Sequence, residues 1–241
     1  MSFGAVALPG IPEVRAGDDL AALLLAAGIE LAATDVLCVA HKVVSKAEGR
    51  VRSLVDVVPG PRALELAATG DRDPRHVQAV LDEADEVVRA TAGVLICRTR
   101  HGFVCANAGV DRSNTEPDCV VLLPENPDGS ARALRAALGC AVVITDSFGR
   151  AWRMGQAEVA IGVAGLEVLD DWRGRHDGGG RELAATHIAV ADQAASAADL
   201  ARRKDSAEPA VRLRGLERFV LDHDGPGAAA LVRARGLDLF R

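Results

Sequence analysis

The clearest chemical signal in the sequence lies at Asp146 and Ser147. Both residues follow the apolar run 140–145, which predicts a strongly buried strand. Because ligands of open sheets bind at the carboxyl ends of parallel strands, we expect both side chains at a ligand-binding edge. A carboxylate beside a hydroxyl suits a hard cation, and the nearby Arg150 and Arg153 suit phosphate oxygens. The alternative is a helix cap followed by surface arginines.

Two further polar segments contain residue types that a phosphate-bearing ligand requires. Lys42, Lys46 and Arg50 lie at the end of a predicted strand and just beyond it, and such a group of cations suits a polyphosphate or a carboxylate. Asp111, Ser113 and Asn114 stand close together in the chain, and their oxygen atoms suit Mg²⁺ or Mn²⁺. The alternatives left open are a solvated strand end for the first segment and an Asx-type turn for the second.

Acidic and basic clusters together suggest metal-assisted phosphoryl transfer, a reaction that depends on positioning and on charge neutralisation. The apolar loop 10–14 has little meaning by itself. The sequence contains neither GxxxxGK[ST] nor a GxGxxG between a strand and a helix, and it also lacks GxSxG and HExxH. The P-loop, Rossmann, simple hydrolase and zinc-protease interpretations therefore lose their main support.

The composition is that of a folded protein with an acidic balance. Lys and Arg total 28 against 34 Asp and Glu in 241 residues, and this net charge of −6 argues against nucleic-acid binding. The longest apolar run, Leu20–Ala27, falls far short of the roughly 18 residues that cross a bilayer. We find no secretion signal, and the five scattered cysteines lack a CxxC pair. We therefore expect a cytoplasmic protein with reduced thiols.

Capping residues and apolar runs predict alternating helices and strands. The predicted helices are Leu20–Ala27 with an Asp18 or Asp19 cap, Arg62–Thr69, Arg75–Ala84, Ser130 to about Gly139, Leu183–Lys204 and about Gly227–Arg235. The predicted strands are Val36–Val44, Glu86–Ala90, Val94–Thr99, Phe103–Ala106, Cys119–Leu123, Cys140–Thr145, Val159–Leu169 and Ala210–Leu213. Strands outnumber clean strand–helix–strand crossovers, which favours an α+β protein with a mixed sheet. Without a repeat, linker or composition break, we expect one domain over residues 1–241.

As a set, these motifs resemble the coenzyme F420 gamma-glutamyl ligase family. The resemblance rests on GIPEV, KVVSKAEGR, HGFVCANAGVDRSN, LLPENPDGSARALR, VVITDSFGRAWRMGQAEVAIGVAGL and IAVADQAASAADL. Order and spacing match from about Leu8 to the closing 238–241, essentially the whole chain. Each motif alone is weak, whereas the ordered set is highly specific.

The resemblance implies a GTP-dependent ligase that joins L-glutamate to the coenzyme F420 precursor F420-0, with the number of added glutamates left open. The terminal carboxylate of the precursor would become an acyl phosphate, which the glutamate amine attacks with release of GDP and phosphate. The resemblance also implies a two-lobed α+β fold, a homodimer, two Mg²⁺ or Mn²⁺ ions, and K⁺.

Individual roles follow from the positions that match the family's motifs. The residues expected to contact GTP are Ile11, Pro12, Glu13, Val14, His41, Lys46 and Asn114. Asp111 and Asp146 are expected to hold one metal ion, and Ser147 the second. The expected catalytic residues are Asp146, Arg150 and Arg153.

The sequence departs from the family's pattern in two places. His41 stands where many relatives carry Gln or Ser, and segment 201–209 lacks the Met-Gly-Lys stretch and the later glycine that relatives tend to have. The second departure leaves open whether this segment binds the nucleotide. One rival interpretation is a nucleotide-dependent kinase or phosphohydrolase, and another is a nucleotide- or deazaflavin-binding regulatory protein without turnover. The intact Asp111, Asp146 and Ser147 favour the ligase.

Overall fold

The computed structural model describes residues 2–239, so Met1 and the last two residues of the resemblance, Phe240 and Arg241, lie outside the described residues. The strands are β1 Gly4–Ala7, β2 Val36–Ala40, β3 Val51–Ser53, β4 Ala84–Ala90, β5 Leu95–Thr99, β6 Val104–Ala106, β7 Cys119–Val121, β8 Ala141–Arg150, β9 Arg153–Ala164, β10 Leu169–Asp171, β11 His187–Ala189 and β12 Ala210–Arg214. The α-helices are α1 Leu20–Ala26, α2 His41–Ala47, α3 Pro61–Ala68, α4 Pro74–Glu83, α5 Pro127–Leu138 and α6 Val190–Ala201.

The largest sheet of the described chain has five strands in the order β1-β12-β2-β8-β9. Strands β2 and β8 run parallel, from Val36 opposite Ala141 to Ala40 opposite Thr145, while the other neighbours pair antiparallel. The predicted α+β class with a mixed sheet is therefore confirmed. The parallel pair brings the carboxyl ends of β2 and β8 to the same edge of the sheet.

Both faces of this sheet are buried, which explains the unbroken apolar runs of its central strands. In β2, Leu37 and Val39 pack with residues of α1 and α5, whereas Val36 and Cys38 pack with the alanines of α6. This alternation follows from the two-residue period of a strand. Small side chains on α6 let the helix lie close to the sheet, as expected for a core with few aromatic residues.

A second apolar core belongs to a smaller lobe built from α3, α4 and the strands β3 to β7. These strands form a pair, β3-β7, and a three-stranded sheet, β4-β5-β6. The lobe packs around the buried residues Leu54, Val57, Ala63, Leu66, Ala67, Val77, Val80, Leu95, Cys97, Val120 and Leu122. Within residues 2–239, no helix combines the length and the apolar character needed to span a membrane.

Three predicted helices are confirmed because capping residues or prolines mark their starts, and five predicted strands are confirmed as well. The Asp19 side chain accepts a hydrogen bond from the Ala22 amide and caps α1, as predicted. Pro61 and Pro74 begin α3 and α4 in the first-turn position that suits proline. The predicted strands 86–90, 94–99, 103–106, 119–123 and 210–213 are confirmed with small shifts of their ends.

The predicted strand Val36–Val44 is wrong in its second half. The strand ends at Ala40, and residues His41–Ala47 form α2. The apolar run continues through both elements because α2 packs Val44 into the same core as Leu37. This correction places Lys42 and Lys46 on a helix instead of a strand end.

The predicted helix Leu183–Lys204 is too long at both ends. Residues His187–Ala189 pair with Leu169–Asp171, so the helix begins only at Val190. At the other end Arg202 has extended backbone geometry, with φ −122° and ψ 155°. Its guanidinium Nη1 donates a hydrogen bond to the Pro209 carbonyl at 2.9 Å, which holds the chain in a turn after α6.

Three further boundaries differ from the prediction. Helix α5 begins before Ser130, because the Asn126 side chain caps it by accepting a hydrogen bond from the Gly129 amide. Strands β8 and β9 extend beyond the predicted runs 140–145 and 159–169 toward their shared turn, since they form one long hairpin. At its other end the predicted run 159–169 is too long, because β9 ends at Ala164 and Gly165 has a positive φ of 75°. The predicted helix 227–235 is replaced by short 3-10 turns at Ala228–Leu231 and Arg235–Leu237.

Candidate functional site

The edge where β2 and β8 end carries the first pair of predicted site residues. Ala40 lies opposite Thr145, so the next residues along each strand, His41 and Asp146, become neighbours. The Nε2 atom of the buried His41 lies 3.3 Å from Oδ1 of Asp146. The parallel pairing therefore delivers a carboxylate and an imidazole to one point, as the sequence predicts for the end of a buried strand.

The carboxylate of Asp146 is held mainly by the backbone amide of the next residue. Its Oδ1 accepts a hydrogen bond of 2.7 Å from the Ser147 amide. His41 has its other ring nitrogen, Nδ1, 3.4 Å from the Ser45 hydroxyl, while its buried Nε2 makes no hydrogen bond within the described chain. A buried nitrogen that lacks a hydrogen-bond partner is costly unless a ligand satisfies it.

Ser147 belongs to a second group, centred on the buried Glu158 of β9. The Ser147 hydroxyl donates to Glu158 Oε1 at 2.8 Å, across the β8–β9 ladder where these two residues are opposite each other. Arg202 Nη2 lies 3.0 Å from Glu158 Oε2, and the two side chains are only 6% and 4% exposed. Burial raises the pKa of Glu158, but the charge of Arg202 and the surrounding hydrogen bonds lower it more, so this carboxyl stays ionised below its usual range.

Lys204 completes this group from the solvent side. Its Nζ donates to Ser147 Oγ at 2.8 Å and lies 3.0 Å from both Glu158 Oε1 and Asp199 Oδ1. Burial lowers the pKa of Lys204, whereas its hydrogen bonds to the two carboxylates raise it more, and the net pKa lies above its usual value. The departing segment 201–209 thus sends side chains into the site, because the turn after α6 directs residues 202 and 204 toward β9.

Asp111 forms a third group with Lys42 of α2. Lys42 Nζ lies 2.6 Å from Asp111 Oδ2 and also donates to the Ser113 hydroxyl. The Ser113 amide donates to Asp111 Oδ1 at 2.7 Å, the Asx-type turn left open as an alternative in the sequence. Burial raises the pKa of Asp111, but the bonds from Lys42 and Ser113 lower it more, so the carboxyl is ionised below its ordinary range.

The structure brings the predicted nucleotide-binding loop 11–14 into contact with Lys46. Lys46 Nζ contacts Glu13 Oε1 at 2.5 Å, which joins α2 to the loop before α1. Ile11 and Val14 are buried in the main core, whereas Pro12 and Glu13 are exposed. A ligand at this loop would therefore meet backbone atoms and the exposed side chains, while the buried pair anchors the loop.

The remaining predicted residues lie farther out. Asn114 is exposed in the loop after β6 and has a positive φ of 57°, a conformation that asparagine tolerates. Arg150 and Arg153 are exposed at the turn of the β8–β9 hairpin, where Arg150 Nη2 donates to the Met154 carbonyl at 2.6 Å. Arg150 thus lies four residues beyond Asp146 on β8, and Arg153 lies at the start of β9, so both arginines are away from the Asp146 carboxylate at the far end of the hairpin.

The donor set around Asp146 fits one hard cation. Among residues 2–239, no three His, Cys, Asp or Glu side chains gather into a metal-binding group. Mg²⁺ is commonly held by one or two carboxylates and completed by water and phosphate oxygens, so a sparse set is compatible with it. Within the described chain, no lysine or arginine forms an ion pair with Asp146, whereas Asp111 is paired with Lys42.

Sequence reasoning missed the most buried charged residue of the site. Glu158 stands in the apolar run 157–164, and a single carboxylate in such a run is a signal that could have identified it. Asp199 gave no comparable signal, because an acidic residue near a helix end is ordinary. Lys42 was noted among the cations, but its contact with Asp111 depends on the helix that sequence reasoning did not predict.

Fold and site together define an α+β protein with a charged site at the carboxyl ends of two parallel strands. A family model described as F420-0:Gamma-glutamyl ligase matches residues 10–215. The chain is 43% identical to the coenzyme F420:L-glutamate ligase of Methanothermobacter thermautotrophicus, with 100% of both chains covered. It is 47% identical to the protein of that name from Methanopyrus kandleri, covering 95% of this chain and 94% of the relative. For the Halobacterium salinarum protein of that name the identity is 48%, over 98% of this chain and 95% of the relative.

The chain therefore belongs to the F420-0:gamma-glutamyl ligase family. The family predicted from the ordered motifs is confirmed. The individual roles of the site residues stay predictions, which the geometry above makes specific enough to test.

Proposed function

We propose that this protein ligates L-glutamate to the coenzyme F420 precursor F420-0 with GTP as co-substrate. The full-length relatives, which are named coenzyme F420:L-glutamate ligases, support the substrate pair. One structural observation carries the nucleotide-dependent part of the proposal. Asp146 lies at the edge formed by parallel β2 and β8, and the adjacent helix α2 carries the cations Lys42 and Lys46. This arrangement is suited to a polyphosphate.

The proposed reaction has two steps. The terminal carboxylate of the precursor attacks the γ-phosphorus of GTP, which forms an acyl phosphate and releases GDP. The amine of glutamate then attacks the acyl carbon, which forms the amide and releases phosphate. Neither step requires a covalent bond to the protein, so the work of the chain is to position the reactants and to balance charge.

Nucleotide binding is assigned to the loop before α1 and to α2. Lys46 exchanges its contact with Glu13 for a phosphate oxygen, and the buried His41 Nε2 gains the partner that it lacks in the described chain. Because Ile11 and Val14 are buried, the loop recognises the guanine through backbone groups and through the exposed Pro12 and Glu13. Asn114 would contact the nucleotide from the opposite loop.

A divalent cation, Mg²⁺ or Mn²⁺, would be held by Asp146 and Asp111. When bound it would neutralise the phosphate charge that develops during transfer. Binding at Asp111 requires that Lys42 move from its oxygens toward the phosphate. Arg150 and Arg153, exposed at the hairpin turn, would meet a phosphate-bearing substrate that arrives from solvent. The K⁺ requirement and a homodimer remain part of the proposal through the family resemblance.

The test is incubation with F420-0, L-glutamate, GTP and Mn²⁺, followed by mass spectrometry. We expect product heavier than the precursor by glutamyl residues, with GDP and phosphate formed in equal amounts, and no product when glutamate is omitted. Phosphate release without glutamyl product would favour the kinase or phosphohydrolase. Tight nucleotide binding without either product would favour the regulatory protein and would refute the ligase.

A further inference from the structure

The ammonium group of Lys204 has an environment that resembles a cation-binding site. Its Nζ lies 2.8 Å from Ser147 Oγ, 3.0 Å from Glu158 Oε1 and 3.0 Å from Asp199 Oδ1. These oxygens come from β8, β9 and α6. An ammonium group has three donors, so the three oxygens satisfy it.

The charges around this point already balance. Glu158 and Asp199 are the two anions, and Lys204 and Arg202 are the two cations, with Arg202 Nη2 3.0 Å from Glu158 Oε2. A divalent ion beside Ser147 would add two positive charges to a neutral group. It would also lie next to two cations of like sign, a repulsion that the buried environment of Glu158 strengthens.

The surroundings of Asp146 are different, although it is the adjacent residue. Its contacts are the Ser147 amide and the His41 ring, and within the described chain no lysine or arginine pairs with it. The negative charge of Asp146 is therefore available to a divalent ion, whereas an ion beside Ser147 would first have to displace Lys204 from three oxygens.

The lysine also closes the site from one side. The Lys204 side chain is 65% exposed, while the Glu158 side chain behind it is 4% exposed. The lysine thus contacts both solvent and the buried carboxylate.

We propose that the ammonium group of Lys204 replaces the second divalent cation beside Ser147, so that this protein binds one Mg²⁺ or Mn²⁺ per nucleotide. The inference rests on the proposed function for the nucleotide and for the ion at Asp146. In this role Lys204 is a positioning residue: it fixes Ser147 and Glu158, and its single charge takes the place of an exchangeable ion.

Counting bound Mn²⁺ tests this directly. The purified protein is saturated with the β,γ-imido analogue of GTP and titrated with Mn²⁺, and free Mn²⁺ is measured by electron paramagnetic resonance. We expect one bound ion per chain and no spectrum of a spin-coupled pair. Two bound ions with a coupled spectrum would overturn the inference and leave the proposed function in place. Absence of nucleotide binding would overturn both.

The Lys204→Gln variant provides the complementary result. Glutamine is polar, one atom shorter than lysine and uncharged, and it offers a carbonyl oxygen, so we expect a second Mn²⁺ ion and a coupled spectrum. The matched control is Arg203→Gln, because Arg203 is 81% exposed and pairs with Asp205, and we expect it to bind one ion. A single ion in folded Lys204→Gln would overturn the inference. If that variant fails to fold, the count for the parent protein still decides.

Discussion

Replacement of Glu158 by glutamine is expected to destabilise the protein strongly, although the two side chains have the same shape. The substitution removes the negative charge that faces Arg202, and both side chains are at least nine-tenths buried. Removing one partner of a buried ion pair costs about 3–5 kcal/mol, because the other charge is left without compensation. Arg202 keeps its bonds to the Pro209 carbonyl and the Thr145 hydroxyl, so we expect the lower end, about 3 kcal/mol.

Urea unfolding followed by circular dichroism measures this loss. With an m-value of about 3 kcal/mol/M, a loss of about 3 kcal/mol moves the midpoint by roughly 1 M. The matched control is Asp205→Asn, which breaks the exposed pair with Arg203, where the side chains are 71% and 81% exposed. Exposed pairs contribute about 0–1 kcal/mol, so the control should shift little. Equal shifts for the two variants would refute the buried ion pair as the source of stability.

The stability difference between the parent protein and Glu158→Gln is expected to depend on pH. The pKa of Glu158 is lowered in the folded protein, so its carboxylate contributes stability above the pKa of the unfolded chain. That stability is lost as the pH falls through the lower folded pKa. We therefore expect the gap between parent and Glu158→Gln to be full at pH 7 and to shrink in acid below the ordinary glutamate range. A gap that grows in acid would contradict the sign of this linkage.

Three further predictions follow from the same structure. Asp146→Ala should abolish glutamyl product in the mass-spectrometric assay, because it removes the carboxylate expected to hold the cation, which unlike Asp111 is not paired with a lysine. Full turnover at saturating Mn²⁺ would refute this prediction. Lys46→Ala should weaken GTP binding about tenfold or more by calorimetry, the value of a charge-assisted contact, and an unchanged affinity would make Lys46 an ordinary surface residue. Thiol titration of the native protein should show a fast reaction only at the half-buried Cys119, since burial raises the pKa of the Cys38 and Cys105 thiols to about 12. In denaturant all five cysteines should react.

The homodimer implied by the family resemblance finds no separate support in the alanine-rich helix α6. In the structure, α6 packs its buried face against the five-stranded sheet of the same chain. The residues of that face are Val190, Ala191, Ala194, Ala195 and Ala198. Light scattering therefore tests a prediction that now depends on the family resemblance alone, and a stable particle of 25 kDa would refute it.

Local signals in the sequence were sufficient for elements with capping residues at their ends. Asp19, Pro61 and Pro74 act within one turn of the chain, so their effect on α1, α3 and α4 does not depend on the rest of the protein. Where an apolar run crosses from one element to the next, as between Ala40 and His41, no local signal distinguishes strand from helix. The pairing of β2 with β8 decided that boundary, because it ends at Thr145.

The sequence by itself determined the family, the mixed α+β class and the position of Asp146 and Ser147 after a buried strand, because ordered motifs and apolar periodicity are properties of the chain alone. Only the tertiary structure decided that Ser147 shares Glu158 with Arg202 and Lys204. The contact between Lys204 and Glu158 spans 46 residues and depends on the register of β9 against β8 and on the residue at which α6 ends. Register and helix end follow from the packing of the whole sheet with α6, and a single sequence carries no local signal for either.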